Sequence, residues 1–169
     1  MEYNWNSFIK RISINASVED IYAMWTTKAG MEKWFLRKCD FTESNGELLF
    51  EEAAVQKGNL FTWYWHGWSD ETKESGIILN ANGTNTLSFT FGQEGAEGMM
   101  CTVTIYEELG ETICEITQEN IPTDERGKTY FHIGCMTGWS FYLVNMKSIL
   151  EGGIDLRNKN EQIKKVVNS

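Results

Sequence analysis

Histidine is scarce in this chain, and proline scarcer: His66, His132 and the single Pro122 are all it has. A Ser-His-Asp or Cys-His arrangement would have to use one of those two imidazoles. No H-x-x-x-H is present, and Cys39, Cys101, Cys114 and Cys135 are scattered with no C-x-x-C pair. The ligand spacing of a zinc site is therefore missing, and neither a metal nor another cofactor is expected. Widely spaced cysteines in a reducing compartment are read as four buried free thiols, not bridges. No apolar run approaches the roughly 20 residues of a membrane-spanning helix. The opening MEYNWNSFIKR lacks an apolar signal core, so a cytoplasmic protein is expected. Basic residues are few, 15 Lys and Arg against 24 Asp and Glu, for a net charge of −9. That balance argues against a nucleic-acid or anionic-membrane surface. The glycine-rich run GQEGAEG, residues 92–98, carries acids and no following Lys-Ser/Thr, which excludes a phosphate loop. No repeat of fixed period is visible.

Aromatic side chains are plentiful. They make up 13% of the residues, with seven tryptophans, enough to line a concave wall as well as a core. A chain of 169 residues suits one domain with a real core, placed at 1–157 and followed by a tail at 158–169. The tail, with Ile163, Val166 and Val167 beside Lys164 and Lys165, adds at most one helical turn. The chain is organised around a C-terminal helix predicted over about Thr129 to Glu151. Trp139, Leu143, Met146 and Leu150 form one stripe at helical period, widened by Met136 and Ile149. Gly152 and Gly153 stand where a left-handed cap needs glycine, and Pro122 with Asp124 and Glu125 suits the helix start.

Most of what precedes that helix reads as strand. An opening strand carries Ile12 and Ile14 in alternation with polar residues. Ser17 followed by Asp20 resembles a capping box for a helix over about Val18 to Thr26, and Thr27 caps a second short helix to about Phe35. Further strands are expected at about 39–43, 48–53, 60–68, 76–80, 87–91, 99–107 and 112–118, with a polar loop at 69–75. Asn82-Gly83 is a strong turn dipeptide between two of them. Runs of strands with helices at both ends argue for an α+β domain with an antiparallel sheet.

Three stretches carry a resemblance to the START-like (SRPBCC) superfamily. One is Ile12-x-Ile14, Ala16, Val18-Glu19-Asp20-Ile21-Tyr22, Trp25 and Trp34. Another is Gly76, the alternating Leu87-Phe89-Phe91, and Thr112-x-Cys114-x-Ile116-x-Gln118. The last is Gly138-Trp139, Leu143, Lys147, Leu150-Glu151, Gly153 and Asp155-Leu156-Arg157. The nearest branch looks like the activator of heat-shock-protein-90 ATPase homologues. The resemblance covers about Phe8 to Arg157. It implies a helix-grip fold: a curved antiparallel sheet of six to seven strands wraps the long C-terminal helix, with two short helices after the first strand. It also implies a cavity between sheet and helix that takes a small apolar or amphipathic ligand, lipids included. A co-chaperone-like domain that stimulates a chaperone ATPase is the alternative it offers, and a cyclase- or hydrolase-like enzyme a third. Gln118 stands where many members have histidine.

Candidate ligand-binding residues follow from alternation and from the family register together. Leu87, Phe89 and Phe91, Val103 and Ile105, and Ile116 with Gln118 would face the helix. Phe61, Trp63 and Trp65 share one face of an aromatic strand, and Leu60, Thr62, Tyr64 and His66 the other. From the helices, Trp34, Met136, Trp139, Ser140 and Leu143 would complete the wall. Polar selectivity would come from Gln118, His66 and Tyr142. No catalytic residue is assigned. His132 and Cys135, three apart on a helix, would share a face, and the same positions suit a hydrogen-bonded histidine near a buried thiol. Glu51-Glu52 and Glu107-Glu108 are adjacent on strands and point to opposite faces, so neither makes an acid-base dyad. Glu107 would lie on the face of Val103 and Ile105.

Overall fold

The computed structural model describes residues 3–92, 97–160, 162–163 and 166–167. Most of the glycine-rich run, residues 93–96, lies outside them, as do Lys164 and Lys165 of the tail.

Seven strands form one antiparallel sheet in the order β1-β7-β6-β5-β4-β3-β2. In chain order these are β1 (Phe8–Ser13), β2 (Lys38–Thr42), β3 (Leu60–Tyr64), β4 (Lys73–Ala81), β5 (Thr86–Thr90), β6 (Met100–Glu108) and β7 (Glu111–Glu119). Each of β2 to β7 pairs with its sequence neighbour, and β1 closes the far edge with Phe8 opposite Gln118 and Ser13 opposite Ile113. One face of this curved sheet is apolar because the side-chain period is two. Phe61 and Trp63, Leu87 and Phe89, Cys101, Val103 and Ile105, and Cys114, Ile116 and Gln118 are all buried on it. Gly76 sits opposite Phe61. A Cβ at Gly76 would lie 2.6 Å from the Phe61 ring, so the ring takes the place of a side chain.

Two short helices, α1 (Val18–Thr26) and α2 (Lys28–Trp34), follow β1. Ser17 Oγ accepts the Asp20 N–H at 3.0 Å and donates to the Asp20 carboxylate at 2.6 Å, a reciprocal cap with the short acid. Thr27 ends α1 and begins α2: its Oγ1 donates to Ala23 O and accepts the Gly30 N–H, both at 2.9 Å. A Cβ at Gly30 would stand 2.3 Å from Ala23 O, so the corner closes only around glycine.

The long helix starts where Asp124 Oδ1 accepts the Gly127 N–H at 2.6 Å. Residues Gly127–Gly134 are wound as a π-helix, and α3 (Cys135–Leu150) continues it. Trp139, Leu143 and Met146 are buried against the sheet and the α1-α2 pair, and Ile149 and Leu150 are half-buried at the edge. Past the helix, the Gly153 N–H bonds Ser148 O at 2.7 Å, with Gly152 at φ +81°.

The structure departs from the sequence reading at four places. Residues 48–53 are no strand: Leu48 makes a lone bridge to Thr42, and the chain then loops. β3 ends at Tyr64, so Trp65 to Trp68 lie beyond the sheet. β4 begins at Lys73, inside the stretch expected to be a polar loop. Glu107 is exposed, because it lies at the hairpin end of β6, paired with Thr112 beside the Leu109-Gly110 turn.

Candidate functional site

The site is built where the helix lifts away from the sheet. At the end near the π-helix the inner face is not covered by packed side chains, and a hollow of about 300 Å³ remains. Trp65, Trp68 and Thr72 border it from the β3-β4 segment, Glu74 from β4, and Phe91, Gly92 and Met99 from the β5-β6 side. Thr129, Tyr130, Phe131, Gly134 and Cys135 close it from the helix. A smaller hollow of about 150 Å³ adjoins, bordered by Phe35, Gly138, Trp139 and Tyr142 and sharing Trp65, Phe91 and Cys135 with the first.

Glycine makes part of this space. Gly134 and Gly138 lie four apart on the helix, and a Cβ on Gly138 would meet nothing within 4 Å, on Gly134 only Thr129 O at 3.8 Å. The rings around the hollows are held by other rings. Phe91 stands 5.3 Å from Trp139 between ring centroids, and Phe35 lies 5.1 Å from Trp139 and 5.9 Å from Trp65. Edge-to-face and tilted contacts of this kind fix ring orientation beyond simple burial.

Among the described residues, one carboxylate sits inside. Glu74 shares the inner face with Gly76 and Ile78, stands opposite Trp63, and is only 6% exposed. Its Oε1 accepts the Gly92 N–H at 2.8 Å. Burial pushes its pKa up, and the Gly92 bond offsets this in part. Strand alternation back from Ile78 identifies Glu74 as inward-facing, but the polar look of residues 69–75 conceals it. Trp68, Phe131 and Cys135 are likewise at the hollow and were not picked out by alternation, since they lie outside strands.

The structure separates the fifteen candidate ligand-binding residues into two groups. Trp65, Phe91 and Trp139 border the hollows. Phe61, Trp63, Leu87, Phe89, Val103, Ile105, Ile116, Trp34 and Leu143 lie in close packing below them, each 2% exposed or less. Met136 is half-buried against that core, and Ser140 donates its hydroxyl to Met136 O at 2.7 Å. Gln118 is fully buried, accepting from the Trp139 indole at 2.9 Å and donating to Met99 Sδ at 3.1 Å. Of the other polar groups, Tyr142 borders the smaller hollow, its phenol pushed up to about 12 by burial. His66 stands apart from both. Its pKa is lowered by burial and then by the positive charges of Arg157 and Lys159.

His132 and Cys135 do not pair. The π-helical winding before Gly134 breaks the i, i+3 relation. His132 is buried between the Tyr3 hydroxyl and Trp5 O, each at 2.9 Å. All four thiols are free, with Cys135 the one at the hollow. Burial raises every one of them, Cys135 to about 11 and Cys114 to about 12. A thiol raised this far is almost wholly protonated near neutral pH, and only the thiolate reacts. We therefore expect a thiol reagent to label native protein slowly and at Cys135 alone, and to find four thiols after unfolding. Rapid labelling of the native protein at Cys39, Cys101 or Cys114 would contradict the packing described above.

Among the described residues, no group of three or more His, Cys, Asp or Glu is placed to hold a metal ion, and no helix is long and apolar enough to cross a membrane.

No curated protein matches the chain. Among solved structures it is similar to the solution structure of the Aha1 dimer from Colwellia psychrerythraea, at a TM-score of 0.67 and 21% identity over 87% of this chain and 97% of that one. It is also similar to the protein SSP2350 from Staphylococcus saprophyticus, at 0.66 and 15% over 89% and 96%. CalU16 from Micromonospora echinospora is similar at 0.64 and 18% over 89% and 77%. These likenesses establish the helix-grip architecture. The sequence profile described as Activator of Hsp90 ATPase homolog 1-like protein matches residues 15–151, from the turn after β1 to the end of α3. The chain belongs to that family.

Proposed function

We propose that the domain binds one small, largely apolar molecule in the joined hollows between the sheet and the first half of the long helix. The observation that carries this reading is the unfilled space of about 300 Å³ bounded by aromatic rings and one inward carboxylate. A mostly apolar concavity with one or two convergent polar groups is the usual form of a small-molecule site. Cys135, the thiol among the described residues that line the hollow, is held protonated by burial and is no ready nucleophile. The reading is binding without catalysis.

An environment-sensitive apolar dye should bind native protein saturably at about one per chain. Gly134→Phe and Gly138→Phe put a ring into the hollows from positions where a Cβ meets open space. Each should weaken dye binding at least tenfold while leaving stability unchanged or improved, since glycine is a poor residue inside a helix. If both variants fold and bind the dye as the parent does, the site is elsewhere.

A second reading is supported by the family and by the likeness to an Aha1 dimer: the domain stimulates a chaperone ATPase of the Hsp90 class. The exposed Leu48 and Phe50, 63% and 88% accessible in the loop after β2, are apolar surface of the kind a protein partner covers. Stimulated ATPase turnover that is lost in Leu48→Ser/Phe50→Ser, yet kept in Gly134→Phe, would assign that activity to the outer surface.

A further inference from the structure

We infer that the molecule bound in the hollow is a cation, an amphipathic ammonium whose charge rests against Glu74 and whose apolar body lies among Trp65, Phe91 and Phe131. The inference rests on the binding reading above and names the class of ligand. Carboxylates are seldom buried unless paired. Glu74 is 6% exposed, and among the described residues no basic side chain forms an ion pair with it. Its hydrogen bond from Gly92 is a neutral donor that leaves the negative charge uncompensated. The groups that surround the hollow are the ones that attract cations. Trp65, Trp68, Phe91, Tyr130 and Phe131 border it, and an aromatic face attracts an ammonium through the negative charge of its ring quadrupole. Phe131 already takes a cation on its face: the Arg126 guanidinium lies 5.4 Å from its centroid, without pairing with Glu74. An anion at the same place would meet an unpaired carboxylate in a chain of net charge −9. A neutral ligand would leave that carboxylate without a counter-charge. An ammonium supplies it, and the net charge raises the local concentration of cations.

The test compares three probes of one chain length: hexyltrimethylammonium, hexanol and hexanoate, titrated into the full chain by calorimetry with tryptophan fluorescence as a second signal. The cation should bind at about one per chain and at least tenfold more tightly than the alcohol, and hexanoate should bind most weakly. Glu74→Gln, which keeps shape and removes charge, should bring cation and alcohol to within about twofold of one another. The parent ratio of cation to alcohol stands by itself if that variant does not fold. Alcohol binding as well as or better than cation to the parent overturns the inference and leaves the hollow as an apolar site. Failure of all three probes to bind overturns the binding reading itself, and this inference with it.

Discussion

Trp139→Ala should destabilise the domain by roughly 3–5 kcal/mol, the cost of emptying a buried aromatic site. Its indole is 2% exposed and touches rings on every layer of the fold: Trp25 from α1, Phe35 after α2, and Phe89 and Phe91 from β5 and its end. The loss is not only packing. The indole N–H donates to Gln118 Oε1, whose other donor among the described residues is the weak Cys101 thiol at 3.6 Å. Removing the indole strands a buried amide oxygen, at about 1–3 kcal/mol. For a domain of this size, 1 kcal/mol moves the melting temperature by roughly 2–4 °C, so a fall of about 6–20 °C is expected. Urea unfolding with an unchanged slope is the measurement. Trp139→Phe keeps one ring and loses the hydrogen bond and part of the indole's volume, so its stability should fall between those of the parent and the alanine variant. If the alanine variant loses less than about 1 kcal/mol, the helix is not seated on the sheet through this residue.

The second large effect is at Arg157, which lies beyond the helix but is woven into the fold. Its side chain is 2% exposed, and every guanidinium nitrogen is committed. Nη1 donates to Leu36 O at 2.9 Å, and Nη2 to Glu32 O at 3.1 Å and Lys33 O at 2.8 Å. Nε and Nη2 bracket the Asp155 carboxylate at 2.9 and 2.7 Å. The carbonyls at the end of α2 are those a helix leaves unsatisfied, and a cation there also meets the negative end of the dipole. Asn145 completes the joint, donating to Trp34 O at 2.7 Å and accepting the Leu156 N–H at 2.7 Å. Arg157→Met leaves three carbonyls without their donor and Asp155 with Lys159, at 2.8 Å, as its remaining charged partner, and about 3–5 kcal/mol is expected, as for a broken buried ion pair. Arg157→Lys should recover little, because a single ammonium cannot span that fork. Acid titration gives a second readout. Burial works against the Asp155 charge, but hydrogen bonds from Arg157 and Lys159 outweigh it and hold the carboxyl well below the usual range. A carboxyl depressed in the folded state stabilises the fold above its unfolded value, near 4, and loses that contribution as the pH falls below it. The gap between parent and Arg157→Met should therefore be full at neutral pH and shrink in acid. A gap that grows in acid would mean the pair is not what Arg157 supports.

Much of the architecture was legible because burial on one sheet face imposes a period of two. Alternation groups Leu87-Phe89, Val103-Ile105 and Cys114-Ile116-Gln118 on one face each, and the family register assigns those faces to the helix side. The short helices could be placed from Ser17 and Thr27, whose hydroxyls bond as cap residues do. What failed did so for identifiable reasons. Leu48 to Phe50 look like strand, yet the run meets the outer edge of β2 only at the Leu48–Thr42 bridge and the Leu49 N–H bond to Phe41 O at 2.9 Å before the chain turns away. The relation of His132 to Cys135 was lost because the winding before Gly134 is not α, and nothing in the residue types announces that. The hollow itself is the hardest feature to read. It is defined by where side chains stop, at Gly134 and Gly138 and past the end of β3. A pattern of apolar residues looks the same whether the rings meet one another or leave room. Phe61 and Trp63 stack at 4.0 Å, while Trp65, two residues on along the same face, stands at a gap.

The order of the strands bears on how the chain assembles. From β2 to β7 every pairing joins sequence neighbours, contacts of low sequence separation whose closure costs little entropy. β1 is different: its partner, β7, lies more than a hundred residues along the chain, with Phe8 opposite Gln118. The same edge is then tied to the end of α3, where Lys147 reaches Ser13 O at 2.8 Å and Glu151 takes the Asn15 N–H at 2.8 Å. During synthesis the first strand therefore emerges first and is placed last. Until α3 has left the ribosome, the open edge of β7 and the apolar face of the meander are both uncovered, and that interval is where a nascent chain of this fold is most exposed to mispairing.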